Sequence, residues 1–317
     1  MEKVSIICAF RNEINTLNEC LTSLVNQDYK NKELIVIDDG SNDGSEKVAQ
    51  SFAKRFKFVK YYRIKHIKNY GCVRPRLHGI KHSTGEILFI VDADAKYAKN
   101  YLSLCTKHLN KKNAGVVGKI RVWNPDNFIS KYRDALYRLR YDDIENIKKE
   151  IKDNKIAAWV IFKKVYDEVG GYRIKESYSE DIDLAKRIMN SGYNIIYEPK
   201  ALWWHRWKDE FILSIKNSYK IGYLKGNNPN DFNIKMLYFL AFPLIIILSL
   251  INKIFIIALF LHLIPLLVKS LILFYKTYKK GYENSFYSLY FFIISYLHNI
   301  SMVIGFIFRL INRNRIK

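Results

Sequence analysis

An Asp-x-Asp triplet is the first feature of this sequence that could do chemistry. Asp92 and Asp94 come directly after the apolar run EILFIV. The carboxyl ends of parallel strands lie at the sheet edge where ligands usually bind. Hard carboxylate oxygens at such an edge suit Mg²⁺ or Mn²⁺, which would neutralise a diphosphate leaving group as its bond breaks. Alone, the triplet also fits a solvated turn after a strand.

Two further acidic pairs stand at the boundaries of predicted elements. Asp38 and Asp39 end the run ELIVI and precede Gly40, which permits a tight turn, and their oxygens could accept hydrogen bonds from a base or ribose. Glu180 and Asp181 open an amphipathic stretch. A helix start stabilises carboxylates, which suits either capping or a general base that takes a proton from an acceptor hydroxyl. Taken singly, each pair is better explained by turn or cap formation.

The elements that would position these residues alternate along the first 118 residues. Short apolar runs (VSIICAF, ELIVID, KFVKYY and EILFIVDAD) are separated by amphipathic stretches. This alternation predicts an α/β domain with a mostly parallel sheet flanked by helices. In the first amphipathic stretch one face at helical period predicts core residues, namely Ile14, Leu17, Leu21, Leu24 and Val25. No Gly-x-Gly-x-x-Gly turn and no phosphate-loop lysine follow the first strand, which argues against a dehydrogenase or an ordinary NTPase.

A less regular section, from about residue 121 to 206, is predicted to complete the same domain. Its elements are a strand from Ile156 to Phe162, a turn at Gly170-Gly171, a helix from Glu180 to Asn190 capped by Gly192, and the strands NIIYEP and ALWWH. We therefore predict one catalytic domain over residues 1–210.

Charge and hydropathy indicate a membrane partner. The net charge is +22, and the region from Lys200 to Lys317 holds sixteen basic and four acidic residues beside the longest apolar runs. Positive charge interleaved with apolar runs favours membrane anchoring over nucleic-acid binding. Three stretches, 236–252, 254–274 and 285–311, approach the ~20 residues that a spanning helix needs. We predict a transmembrane region over 236–317 in the cell membrane, membrane lipids as partners, and no nucleic acid.

The segment 211–235 between the two regions is predicted to be an amphipathic, interfacial helix. Ile212, Ile215, Tyr219 and Tyr223 share a face, and charge is supplied by Lys216, Lys220 and Lys225. A packed soluble helix is the alternative. The basic catalytic domain and the loop KTYKKGYE favour a cytoplasmic catalytic domain on a multi-pass protein, and four separated cysteines fit a reducing setting. Three spans would put the basic tail outside, so the number of spans stays open.

The separated motifs resemble those of family 2 glycosyltransferases with the GT-A fold. They stand in the same order and spacing, as VSIICAFRNE, ELIVIDDGSNDGS, RPRLHGIKHSTGEILFIVDAD, GGYRIKESYSEDIDLAKRIMNSGYNIIYEP and ALWWHR. The resemblance covers about Val4 to Arg206. It implies an inverting, metal-dependent hexosyltransferase of cell-envelope glycan biosynthesis, using a UDP- or GDP-linked sugar donor.

The resemblance also implies roles for residues near the donor. Asp92 and Asp94 look like the pair that binds Mg²⁺ or Mn²⁺ and the diphosphate. His205 matches the place of a histidine that related enzymes supply to the metal or diphosphate, with a packed core residue as the alternative. Arg76 is similar to the family's phosphate-holding arginine, although Pro75 beside it departs from the usual pattern.

The remaining roles concern the nucleotide and the acceptor. Asp38 or Asp39 looks like the nucleotide-binding carboxylate, with Phe10, Arg11 and Glu13 lining the nucleoside pocket. Asp181 looks like the catalytic base, supported by Glu180. Arg206 and Trp207 resemble the end of the Gln-x-x-Arg-Trp motif of processive members and are expected to contact the nucleotide sugar. Trp203 occupies the glutamine position, which favours transfer of one sugar over polymerisation.

Two other functions remain open at this stage. A metal-dependent nucleotidyltransferase would also need an aspartate pair on a parallel sheet, but it would not explain the Glu180-Asp181 pair or the apolar helices as well. A catalytically inactive, membrane-anchored sugar-nucleotide-binding protein would keep the fold. The acceptor is expected to be lipid-linked or a glycan, and the sequence leaves open whether the chain forms a homo-oligomer.

Overall fold

The computed structural model describes residues 1–67, 71–141, 159–173, 180–207, 211–226 and 234–312. The chain forms two compact units, which are Met1–Trp123 with Tyr141–Arg206, and Asn124–Arg140 with Trp207–Lys317. Residues 124–140 belong to the second unit although they precede much of the first unit in the chain. The predicted domain limits at residues 210 and 235 stay predictions.

The first unit is built on an eight-stranded sheet in the order β3-β2-β1-β4-β7-β6-β8-β5. The strands are β1 Val4–Phe10, β2 Lys32–Asp38, β3 Val59–Arg63, β4 Ile87–Asp92, β5 Ala95–Tyr97, β6 Asn113–Val122, β7 Trp159–Phe162 and β8 Asn194–His205. Strands β3, β2, β1 and β4 pair in parallel, as do β6 and β8, whereas β7 and β5 run antiparallel to their neighbours. This arrangement confirms the predicted α/β, mostly parallel sheet.

Helices flank this sheet, namely α1 Leu17–Val25, α2 Ser45–Arg55, α3 Val73–Lys81, α4 Tyr101–Thr106, α6 Lys163–Glu168 and α7 Glu180–Asn190. Between α4 and α6 in chain order, α5 Phe128–Tyr141 belongs to the second unit. Leu17, Leu21 and Leu24 are fully buried, as predicted. The prediction for Ile14 was wrong, because α1 begins three residues later and Ile14 is 41% exposed in the preceding loop.

Strand β8 is one strand where the sequence suggested two. NIIYEP and ALWWH form a continuous strand, and its pairing with β6 shifts register between Gly118 and Lys119. Pro199 lies in this irregular stretch, where a missing N–H is tolerated. Gly118 is required there because an added Cβ would overlap the carbonyl oxygen of Ala201. The strand predicted from Ile156 is observed as β7, and residues 156–158 lie outside the described residues.

The second unit is largely helical and apolar. Beyond α5 it contains α8 Phe211–Lys225, α9 Ile234–Ile251, α10 Ile254–Lys279, a 3-10 helix Ser285–Tyr290 and α11 Phe291–Asn312. Two segments, Ile254–Lys279 and Ser285–Asn312, are long and apolar enough to cross a bilayer, whereas Met236–Ile251 is shorter. Two of the three predicted spans therefore meet the length requirement, and the number of spans stays a prediction.

Helix α8 packs along α11 through small residues. Added Cβ atoms at Gly222 and Gly305 would overlap the carbonyl oxygens of Met302 and Tyr219, so the two helix backbones touch at these points. Close approach through glycine is typical of helix pairs in membranes. The Ser301 hydroxyl also donates a hydrogen bond to the Ile215 carbonyl at 2.9 Å. Part of the face predicted to contact lipid therefore contacts α11, and an interfacial location of α8 stays a prediction.

Candidate active site

The ends of three parallel strands bring acidic residues to one edge of the sheet. In the central strand β1, Phe10 pairs with Asp38 of β2, and Ala9 pairs with Asp92 of β4. A cavity of about 340 Å³ opens at this edge. Its walls come from β1 and the loop after it, from the turn after β2, from residues before and in α3, and from the end of β4, namely Ala9, Phe10, Arg11, Glu13, Asp39, His66, Gly71, Cys72, Pro75, Asp92, Ala93 and Asp94.

Asp92, Asp94 and His205 form a group of the kind that holds a metal ion. One ligand atom from each residue lies within 4.8 Å of the others, and no other group of three or more such residues occurs in the described parts of the chain. The antiparallel pairing of β5 with β8 places Ala95 opposite His205, and His205 Nε2 lies 3.3 Å from Asp94 Oδ1. The Arg206 N–H also donates to the Asp94 carbonyl at 2.8 Å. Two carboxylates and one imidazole fit a divalent cation.

Arg76 on α3 joins the carboxylates of β4 and α7. Its buried guanidinium donates to Asp92 Oδ1 at 2.6 Å and to Glu180 Oε1 at 2.9 Å. The nitrogen that donates to Glu180, Nη1, also lies 3.9 Å from Asp181 Oδ1. The planar fork of arginine makes such bridging possible, which an ammonium group could not do in the same way. Binding of donor phosphate by Arg76 stays a prediction, since both terminal nitrogens already contact carboxylates.

Asp181 lies in the first turn of α7 and is held by two aromatic side chains. Its Oδ1 accepts hydrogen bonds from the Tyr172 hydroxyl at 2.8 Å and from Trp159 Nε1 at 3.2 Å. Among the described residues none donates to Oδ2. Burial raises the pKa of Asp181 to about 7; Arg76 opposes this shift, and Glu180 and Asp92 add to it. A carboxylate with this pKa suits proton transfer near neutral pH.

The two aspartates after β2 have different surroundings. Asp38 is fully buried, and its oxygens accept hydrogen bonds from the Ser41 N–H at 2.7 Å and the Tyr61 hydroxyl at 3.0 Å. Asp39 lines the cavity, which Asp38 does not. Of the two alternatives that the sequence left open, Asp39 is thus the one that a ligand in the cavity could reach.

The residues predicted to line the nucleoside pocket lie at the end of β1 and in the loop after it. Phe10, Arg11 and Glu13 all line the cavity. The loop is fixed to the turn after β2, because the Asn12 N–H donates to Ser41 Oγ at 3.0 Å and the Ile14 N–H donates to Asp43 Oδ2 at 3.0 Å. Their contact with a nucleoside stays a prediction.

Neither residue of the predicted pair Arg206-Trp207 is among those that line the cavity. Arg206 follows β8 in the first unit and contacts Asp94 through its backbone. Trp207 belongs to the second unit, where the Arg133 guanidinium lies 3.9 Å from the centre of its ring and the Tyr137 ring lies 5.9 Å away. A role for either residue in nucleotide-sugar binding stays a prediction.

Several residues of this site escaped the sequence analysis. His66 and Cys72 line the cavity, and Tyr172 and Trp159 hold Asp181. Of these only Tyr172 had a signal: it follows the turn at Gly170 and Gly171, both of which have positive φ. The Cys72 thiol donates to Glu180 Oε1 at 3.1 Å, and burial raises its pKa, so it is a poor nucleophile.

The sheet and its flanking helices form the GT-A fold. A mannosyltransferase from Pyrobaculum calidifontis, solved with GDP-Man and Mn²⁺, aligns with a TM-score of 0.55 and 22% identity over 73% of this chain and 65% of that chain. Staphylococcus aureus TarS in complex with UDP aligns with a TM-score of 0.51 and 17% identity, covering 69% of this chain and 65% of that chain.

Sequence comparison gives the family. The model of glycosyl transferase family 2 matches residues 5–173, and the chain belongs to that family. Poly-beta-1,6-N-acetyl-D-glucosamine synthase of Staphylococcus epidermidis is 29% identical over 215 residues, which are 64% of this chain and 50% of that protein. Cholesterol galactosyltransferase of Borreliella burgdorferi is 34% identical over 115 residues, which are 36% of this chain and 31% of that protein. The chain thus spans half or less of the length of these two relatives.

Proposed function

We propose that this protein is an inverting, metal-dependent glycosyltransferase at the cytoplasmic face of a membrane. It moves a sugar from a nucleotide-diphosphate sugar to a hydroxyl or phosphate of a lipid-linked acceptor. Membership of family 2 supports the reaction class. The Asp92, Asp94 and His205 group supports use of Mg²⁺ or Mn²⁺.

The observation that carries the proposal is the bridge made by Arg76. The Arg76 guanidinium contacts Asp92, one of the three residues that could hold a metal ion. It also lies 3.9 Å from Asp181, whose pKa burial raises to about 7. A donor-side group and an acceptor-side base therefore lie beside the two terminal nitrogens of one buried guanidinium. A protein that only binds sugar nucleotides would need the first group and not the second.

The residues then divide the reaction between them. Asp181 Oδ2 takes the proton of the acceptor hydroxyl, and the acceptor oxygen forms a bond to the anomeric carbon. The bond from that carbon to the diphosphate oxygen breaks on the opposite face, and the nucleoside diphosphate leaves with the electron pair. A cation held by Asp92, Asp94 and His205 would supply charge neutralisation of this leaving group. Glu180 and Arg76 keep Asp181 in position.

Features of the second unit support a lipid-linked acceptor. Two helices are long and apolar enough to span a bilayer, and apolar side chains on α10 such as Phe260 and Leu261 are exposed. Lys216 and Lys220 on α8 are exposed and could attract a lipid phosphate, while the side chain of Lys225 lies outside the described residues. Basic loops favour the cytoplasmic side.

The test is binding and hydrolysis of UDP- and GDP-linked sugars by the detergent-solubilised full chain, measured with Mn²⁺ and with Mg²⁺. Asp94→Ala should lose metal-dependent binding. Asp181→Asn should still bind a donor, but its rate of donor hydrolysis should fall at least about a hundredfold, because a general base typically contributes that much to a rate. Asp126→Asn, an exposed carboxylate of the other unit, is the control that should change neither. If no donor binds with either metal the proposal fails, and if Asp181→Asn hydrolyses the donor at the wild-type rate Asp181 is not the base.

A further inference from the structure

Two aromatic side chains donate hydrogen bonds to the same oxygen of the Asp181 carboxylate. The Tyr172 hydroxyl reaches Oδ1 at 2.8 Å, and the Trp159 indole N–H reaches it at 3.2 Å. A carboxylate oxygen has about two lone-pair sites, so these two donors fill Oδ1. The other oxygen, Oδ2, accepts no hydrogen bond from the part of the chain that the structure describes. A ligand can still reach the carboxylate, because 22% of the Asp181 side chain is exposed, and Oδ2 is the oxygen left to receive a proton.

Trp159 is a donor whose position the sheet fixes. It is fully buried in β7, where it pairs with Ile90 of β4. Its ring packs over Gly115 of β6, at which an added Cβ would lie 3.5 Å from the indole. A large ring in a close-packed interior has little room to move. The indole N–H therefore stays in place, and the carboxylate must turn Oδ1 toward it.

The turn that carries Tyr172 is tied to α7, the helix that also carries Asp181. Arg187 of α7 donates to the Gly171 carbonyl at 2.6 Å, and the Tyr172 N–H donates to the Tyr166 hydroxyl at 2.8 Å. Gly171 lets the turn pass this close, because an added Cβ would lie 2.7 Å from the Tyr166 ring. Both ends of the hydrogen bond between Tyr172 and Asp181 are thus attached to one helix.

The charged groups around Asp181 make its orientation and its ionisation depend on Tyr172. Burial raises the pKa of Asp181 to about 7; Arg76 opposes this shift, Glu180 and Asp92 add to it, and the hydrogen bond from Tyr172 opposes it. The Arg76 guanidinium also lies 5.7 Å from the centre of the Tyr172 ring. The Tyr172 hydroxyl therefore both fixes Oδ1 and favours the ionised carboxylate that can accept a proton.

We propose that Tyr172 and Trp159 are positioning residues that turn Asp181 so that Oδ2 faces the acceptor hydroxyl. This inference rests on the proposed function, in which Asp181 is the base. Proton transfer needs the base oxygen and the acceptor oxygen within about 2.6–3.2 Å of each other. A base held in one orientation meets this condition as soon as the acceptor binds, whereas a base that turns freely loses rate without any loss of donor binding.

The experiment measures kcat and KM for donor hydrolysis, with Mn²⁺, by the full chain in detergent. The substrate is the UDP- or GDP-linked sugar that the wild-type protein hydrolyses fastest. Tyr172→Phe and Trp159→Phe should each lower kcat at least about tenfold, the effect of one hydrogen bond to a charged group, and leave KM for the donor unchanged. Tyr193→Phe is the matched control, because it removes a hydroxyl that donates to another carboxylate of the same unit, Glu168, at 2.9 Å.

A pH profile and a double variant separate positioning from mere stabilisation of the fold. Without the Tyr172 hydroxyl the pKa of Asp181 rises further, so the pH below which hydrolysis falls should move upward in Tyr172→Phe but not in Tyr193→Phe. Adding Tyr172→Phe to Asp181→Asn should lower kcat by less than about twofold, because two changes that act through one group do not add. A hydroxyl that only stabilised the fold would lower kcat by the same factor in both backgrounds.

The outcomes separate this inference from the proposed function. A wild-type kcat and a wild-type pH profile in Tyr172→Phe would overturn the proposal, as would an equal loss of kcat when Tyr172→Phe is added to the wild type and to Asp181→Asn. Tyr172→Phe keeps the ring and decides alone if Trp159→Phe, which leaves a cavity, no longer binds the donor. If Asp181→Asn itself hydrolyses the donor at the wild-type rate, the base of the proposed function is wrong, a result that needs neither aromatic variant.

Discussion

Replacing Arg76 by glutamine removes the cation that three carboxylates share. The Arg76 side chain is 7% exposed, and it hydrogen-bonds Glu180, which is 10% exposed, and Asp92, which is 25% exposed. Removing one partner of a buried ion pair costs about 3–5 kcal/mol, and we take about 3 kcal/mol because Asp92 stays partly hydrated. In a domain of roughly 200 residues 1 kcal/mol changes Tm by about 2–4 °C. Tm should therefore fall by about 6–12 °C.

The same substitution should move the pH dependence of catalysis. Arg76 opposes the rise in the pKa of Asp181, so without the guanidinium that pKa rises further above its ordinary value. A base with a higher pKa is protonated over a wider range, so the pH below which donor hydrolysis falls should move upward. Arg76→Lys should give an intermediate result, since it keeps the charge but loses the bidentate bridge.

Thermal unfolding of the solubilised protein at pH 7 and a pH profile of donor hydrolysis together measure both effects. Arg55→Gln, an exposed arginine at the end of α2, is the control for loss of a positive charge. The reasoning is refuted if Arg76→Gln unfolds at the wild-type temperature and shows the wild-type pH profile.

Further predictions concern Asp181 and two close backbone contacts. In the wild-type protein, hydrolysis should fall about tenfold per pH unit below pH 7, because burial raises the pKa of Asp181 to about 7 and only the ionised base accepts a proton; a constant rate down to pH 5 would contradict this. The raised pKa also means that stability is lost as pH rises from about 4 toward 7, so Asp181→Asn should have a higher Tm than wild type at pH 8 but not at pH 4. Gly118→Val should abolish the folded yield, measured by gel filtration, because its Cβ would overlap the Ala201 carbonyl; a monodisperse, nucleotide-binding variant would speak against that packing. Gly222→Leu should lower Tm by forcing α8 from the Met302 carbonyl of α11, and an unchanged Tm would show that the two helices do not touch there.

The sequence was sufficient to place the acidic residues at the sheet edge. Strand ends could be predicted because β2 and β4 each contain an uninterrupted apolar run, LIVI and ILFIV, that is followed by an aspartate. Asp38 and Asp92 were therefore expected where parallel strands end together. His205 was readable for the same reason, as the last residue of β8. The helix that carries Asp181 could be predicted from its helical period of apolar residues and from Gly192, whose φ of +84° suits the residue after a helix.

Features set by tertiary contacts were not readable. The choice between Asp38 and Asp39 depends on the turn after β2, where the Ser41 N–H turns back to Asp38. His66 carried no pattern, because it reaches Asp39 through a loop whose path depends on Gly40. Trp159 has the composition of an ordinary core residue, and only its indole N–H on Asp181 distinguishes it.

The pairing of β5 with β8 has a consequence for the growing chain. It joins Asp94 to a histidine in the last strand that the described sheet receives in chain order, whereas β1 to β4 pair among segments synthesised early. Contacts between distant residues form late, because a long loop must close before they can form. A nascent chain can thus assemble the parallel half of the sheet before Asp94 meets His205. The group of Asp92, Asp94 and His205 is therefore complete only after β8 has been synthesised.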